Sequence, residues 1–284
     1  MLESLWASPR WKAIERIADR LLSSELSLFA AGIAFFGLLA IFPAIAAFAA
    51  IYGIFADTGM VYTTLSPLRG VIPPAAYDIL GNQLIALSMR EETALGFGAI
   101  FAFLLSIWST ASGIKSLMAA LNYDYVVKES RSFFHRTGVA LGFTMGGLIM
   151  LMVVLALIVG LPAALELARV DAETIAAVVW VPWLAIAAIV VLALTVIYRY
   201  GPSRLVRQYR YEIPGAVVAT ALWIFASVGF SVYVANFGDY NKTFGSLGAV
   251  VVLLMWFYLS AYAVCIGAEI NAELKHRADA RATP

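Results

Sequence analysis

Six long stretches of the chain contain no charged residue. They are Leu26–Ala56, Thr93–Ile114, Thr137–Leu165, Thr174–Tyr198, Ile213–Gly238 and Thr243–Ala268. Each is dominated by Ala, Leu, Ile, Val, Phe and Gly, and the charge is gathered in the segments between them. A hydrocarbon core about 30 Å thick takes about 20 residues of helix to cross, and these stretches run from 22 to 31 residues. None alternates polar and apolar positions with the period of two that a barrel strand needs. In lipid every backbone N–H and C=O must be satisfied within the protein, which a helix does by itself. The pattern predicts an all-α polytopic membrane protein with six transmembrane helices at about 28–56, 93–114, 137–165, 174–198, 213–236 and 244–268.

The flanking segments carry their own patterns. Trp11, Ile14, Ala18 and Leu21 recur at helical spacing among Arg10, Lys12, Arg16 and Arg20. Residues 1–25 are therefore expected to hold an amphipathic helix, either lying in the interface or docked on the bundle. Residues 269–284 read as a polar tail. The longest connection, Asp57–Glu92, places Tyr77, Leu80, Leu84 and Leu87 on one helical face and predicts a short amphipathic helix. Pro43 stands in the first apolar stretch, where it either kinks the helix or breaks it beside a cavity. Pro182 in the fourth stretch holds a corresponding place, a weak hint of inverted halves. Pro214 falls at the first turn of the fifth helix, where proline is tolerated. The turn Gly238-Asp239-Tyr240-Asn241-Lys242 is short enough to make the fifth and sixth helices antiparallel neighbours.

Composition sharpens this picture. The chain is 62% hydrophobic, against about 45–50% for soluble domains. Net charge is +1, so bulk charge points to no polyanionic partner and no nucleic acid. Of the 19 Lys and Arg, 15 fall before the first helix, after the second, after the fourth and after the sixth; the other connections hold four. The positive-inside rule then places both termini in the cytoplasm. The lone cysteine, Cys265, can form neither an internal disulfide nor a cysteine-based zinc site. The first apolar stretch is far longer than the core of a signal peptide and reads as a retained span.

Polar groups within or beside the spans are the candidate chemistry. The second, fifth and sixth helices carry stripes that include Ser106 and Ser109, then Thr220, Ser227 and Ser231, then Trp256. Such stripes either pack helices closely or line a mildly polar cavity. Glu269 is expected to end the sixth helix. A carboxylate there opposes the helix dipole and should seek a cation, with Arg199 or Arg204 as the candidate and Asn271 and Asn122 completing the network. The group either fixes the helices or contacts a headgroup. Asp239, Asn241 and Lys242 in the tight turn form either local turn chemistry or an outer headgroup contact. Arg204, Arg207 and Arg210, with Tyr209 and Tyr211, either set topology or bind anionic lipid.

Several blocks together resemble one family over nearly the whole chain. They are Ala30–Phe36 with Phe42-Pro43, Trp108–Gly113 followed by Ala120-Leu121-Asn122, and Glu129-Ser130-Arg131. Further on come Tyr198-Arg199-Tyr200-Gly201-Pro202, Pro214-Gly215-Ala216 and the long block from Tyr233 through Glu273. In order and spacing these resemble the YihY / virulence factor BrkB family of bacterial inner-membrane proteins. The resemblance implies six helices, a multi-pass place in the bacterial cytoplasmic membrane, and links to serum resistance or to export of lipopolysaccharide precursors. The label ribonuclease BN also attaches to the family, and residues can test it. Metal-dependent RNA hydrolysis needs clustered carboxylate or His ligands, and this chain has only His135 and His276, far apart in sequence. There is no Walker lysine loop and no Gly-x-Ser-x-Gly elbow. No cofactor or metal is expected, and the nuclease reading is set aside. Mid-span acids, His and Arg are missing too, which argues against a proton-coupled pump. The expected function is translocation or export of a lipid or other amphiphile, with membrane lipids and lipopolysaccharide precursors as partners. The alternative is a non-transporting scaffold or envelope assembly factor.

Overall fold

The computed structural model describes residues 24–55, 92–160, 180–203, 211–236 and 246–282. They form six long α-helices: α1 (Ser24–Phe55), α2 (Glu92–Asp124), α3 (Phe133–Leu155), α4 (Val181–Tyr200), α5 (Ile213–Asn236) and α6 (Ser246–Ala282). Each contains a segment long and apolar enough to cross a membrane. The N-terminal amphipathic helix, the helix expected around Tyr77–Leu87, and the turn at 238–242 lie outside the described residues.

The helices do not end where the charge-free stretches end. α2 runs past Lys115 to Asp124, and α6 runs past Ala268 to Ala282, where a separate tail was expected. The physical reason is simple. Lipid excludes charge, whereas a helix in water tolerates it, so a charged residue marks the membrane boundary and not a helix terminus. α3 starts four residues earlier than Thr137, with Ser132 as N-cap accepting from the His135 amide. It finishes in a π-helical turn, Ala156–Gly160. α1 is continuous through Pro43, so the broken-helix alternative does not apply. Pro182 sits in the first turn of α4, capped at Trp180, so it has no counterpart role to the mid-helix Pro43.

Consecutive helices are neighbours throughout, and α6 closes the circuit against α1 while also touching α2. The tightest pairs are α1–α2, α5–α6 and α1–α6. Packing is strongly polarised along the bundle. Leu117 and Leu121 of α2, Leu194 and Tyr198 of α4, Ala216 and Ala219 of α5 and Ala268 of α6 form one core. Leu26 of α1, Ala120 and Cys265 form a second, and Ala111, Met118 and Ala140 of α3 a third. All these clusters lie toward the ends that carry the basic segments. We call this the basic end. Among the described residues, the opposite halves of α2, α4 and α5 expose large apolar side chains: Phe97 is 88% exposed, Phe225 76% and Leu184 71%. A Cβ added at Gly98, Gly142, Gly146 or Gly229 would meet nothing within 4 Å.

Candidate functional site

The basic end is built on two unusually close helix contacts. α5 crosses α6 at Gly215 and Gly267. A Cβ on Gly215 would overlap the Gly267 carbonyl oxygen, and one on Gly267 would stand 2.5 Å from both the Gly215 carbonyl oxygen and the Tyr198 hydroxyl. Only glycine permits this approach. Asn271 locks the crossing. Its Oδ1 accepts from the Gly215 amide at 2.8 Å and its Nδ2 donates to the Glu212 carbonyl at 3.0 Å. It thereby caps the start of α5 from a different helix, satisfying an amide that α5 cannot pair internally. The Tyr198 hydroxyl donates to the Val264 carbonyl at 2.6 Å and ties α4 to the same place.

The second contact is a clasp between the α2–α3 connection and the end of α4. α2 terminates with Val127 N donating to Asn122 O (2.8 Å) and Val126 N to Tyr123 O (3.1 Å), with Val126 at φ 52°. That is the Schellman arrangement, in which the left-handed position usually belongs to glycine. It turns the chain back so that Glu129 and Arg131 meet Asn122. Asn122 Nδ2 donates to Glu129 Oε2 at 3.0 Å, and Asn122 Oδ1 accepts from the Ser203 amide at 2.8 Å. Arg131 grips both oxygens of Glu129 (2.8 and 3.0 Å) and donates onward to the carbonyls of Gly201 (2.6 Å) and Tyr200 (3.4 Å). A cation on the last carbonyls of α4 complements its dipole. The Ser130 amide and hydroxyl both meet Ser203 Oγ, at 3.1 and 2.8 Å. Gly201 is required here, since a Cβ would lie 2.5 Å from Ile197 O and 2.7 Å from Leu121 Cδ1. Burial opposes ionisation of Glu129, yet the hydrogen bonds and charge of Arg131, with the Asn122 amide, bring its pKa down to about 2.

The expected network is therefore partly assembled and partly redrawn. Asn122 and Asn271 are both buried at this end, but each pins a different backbone segment. Arg199 lies 3.8 Å from buried Glu212, a carboxylate the sequence reading did not single out. Glu269 is buried, 4% exposed, but it stands inside α6 and not at its end, so the dipole argument for it fails. Arg204, Arg207 and Arg210, and with them Asp239, Asn241 and Lys242, lie outside the described residues.

The α2 stripe turns toward α1, while those of α5 and α6 meet at Ser227 and Trp256. On α2, Gly113 faces Phe36 of α1, and Ser116 faces Gly32. On α5, Ser227 Oγ accepts from Trp256 Nε1 of α6 at 3.2 Å. Ser106 and Thr220 return their protons to the carbonyls of Phe103 and Ala216 in their own helices. Ser109 is fully buried, and Ser231 is exposed. Spacing identified a face on each helix but not its neighbour, and the faces turn to different partners. Glu129, Arg131, Ser203 and Glu212 were missed as site residues. The motif blocks hold the signal for two of them, since Glu129 and Arg131 fall in one of those runs.

The profile of the virulence factor BrkB family matches residues 17–284. The chain belongs to that family. Among relatives of the BrkB chain, the ribonuclease-like protein YfkH of Bacillus subtilis is 32% identical over 261 residues, covering 87% of this chain and 89% of the relative. The UPF0761 membrane protein VV0203 of Vibrio vulnificus is 26% identical over 279 residues, 95% and 84% of the two chains. No solved structure matches. Among the described residues of this BrkB protein, no group of three or more His, Cys, Asp or Glu side chains could hold a metal ion.

Proposed function

We propose that this multi-pass membrane protein moves a lipid or other amphiphile across the bacterial cytoplasmic membrane, with its basic end in the cytoplasm. The observation that carries this reading is the polarised packing. At the basic end, helices from both halves of the chain are closed by the Gly215–Gly267 crossing and the Arg131 clasp. The opposite halves of α2 to α5 expose apolar side chains around much of their surface. Exposed apolar surface of this kind suits a ligand that arrives from the bilayer itself. The distribution of basic residues supports the cytoplasmic placement. A second reading, a non-transporting scaffold or assembly factor, is favoured by Ser106 and Thr220, whose hydroxyls are bonded within their own helices, and by Ser227, bonded to a neighbouring tryptophan.

Proteoliposomes separate the two. Purified protein is reconstituted with labelled phospholipid, and separately with a lipopolysaccharide precursor. Protein-dependent flipping is expected, reduced in Glu269→Gln because that carboxylate is buried in the closed end. Folded protein that flips neither lipid would overturn the translocation reading in favour of the scaffold.

A further inference from the structure

We infer that the face shared by α2 and α3 at the basic end is a docking surface for the headgroup of an anionic phospholipid. Lys115 and Arg136 are its cations. The Lys115 ammonium stands 5.5 Å from the centroid of the Phe133 ring. Arg136 Nη2 donates to the Lys115 carbonyl at 3.0 Å, which brings the two cationic residues to one level on adjoining helices. Among the described residues, the carboxylate that Arg136 approaches is Glu129, with Nε 4.0 Å from its Oε2. Glu129 is already occupied, since it accepts from Arg131 Nε, Nη2 and backbone amide and from Asn122 Nδ2. Arg136 Nε is itself buried and makes no hydrogen bond, while the side chain as a whole is 34% exposed. Arg131 and Arg136 thus share one carboxylate, while the Lys115 ammonium and the exposed part of the Arg136 guanidinium remain for a phosphate.

The apolar half of such a ligand is matched as well. Phe133 and Phe134, packed edge to face, are 72% and 84% exposed at the start of α3. Aromatic rings at that level mark the headgroup boundary. Beyond them α3 exposes Leu141, Met145 and Ile149 along its length, an apolar track for acyl chains. Basic pockets between transmembrane helices are a known way to hold anionic headgroups. A lipid fits both halves, where a soluble anion would use only the cations. This inference does not depend on the protein transporting anything.

The test is native mass spectrometry of the delipidated protein, titrated with phosphatidylglycerol or phosphatidylcholine of identical chains. Wild type is expected to retain phosphatidylglycerol at least about tenfold more tightly, falling with added salt. The Lys115→Gln/Arg136→Gln pair should lose roughly thirtyfold of that affinity, at about 1 kcal/mol for each surface cation. The charge-keeping pair Lys115→Arg/Arg136→Lys should keep most of it. If the neutral pair does not fold, Arg136→Gln alone and the salt series carry the decision. Equal retention of the two lipids by wild type would overturn the inference, as would undiminished binding in the folded neutral variants. Complete displacement by soluble glycerol phosphate would also overturn it, reassigning the site to a soluble anion.

Discussion

Val126 is the one non-glycine residue with positive φ among the described residues, and it is β-branched and 75% exposed. It holds the left-handed position of the α2 terminus because the clasp beyond it needs that turn. Such a residue is strained by about 1–3 kcal/mol. Val126→Gly should therefore raise stability by about 1 kcal/mol, after the greater freedom of the unfolded glycine chain is deducted, read as a higher unfolding temperature in detergent. Three residues on, Glu129 makes a pH prediction. Its pKa falls from the usual 4.5 to about 2 in the folded protein. The stability it contributes is thus fully present above pH 4.5 and is lost as pH falls toward 2. Thermal unfolding across that window should show a decline that Glu129→Gln flattens; identical slopes would remove Glu129 from the clasp. Asn122 and Asn271 were legible in sequence as polar groups just outside charge-free stretches, expected to complete a network around Glu269. Which backbone each one serves was not, since that depends on how α4 and α5 approach.

At the scale of elements, six helices were readable because lipid forbids charge and so prints each span as a gap in the charge pattern. Their ends were not readable, since Lys115 and Glu269 sit inside helices that simply leave the membrane. The small-residue stripes were visible but ambiguous, and glycine geometry now sorts them. Gly267→Ala should destabilise by roughly 2–3 kcal/mol, because its new Cβ meets Gly215 backbone and the Tyr198 hydroxyl. Gly142→Ala, in open space on α3, should be neutral or stabilising by up to about 1 kcal/mol. Denaturation of both variants in the same micelle checks the contrast, and equal losses would mean that the α5–α6 crossing is not the tight one.

Across the whole molecule, each helix packs against the one before it, and α6 bridges back to α1 and α2. Cys265 of α6 completes the core with Leu26 and Ala120, and Asn271 of α6 supplies the missing cap of α5. A chain cut before Ser246 should consequently insert yet unfold at a lower temperature in detergent than the full chain. Equal unfolding temperatures of the two would deny α6 this role. Such an order of contacts suits synthesis at a translocon. Every helix emerging from the ribosome finds its partner already in the bilayer, but the amide of Gly215 waits for the last one. The nascent protein is thus held incomplete until its final helix arrives, and a quality-control protease that recognises an open α5 could tell finished molecules from truncated ones.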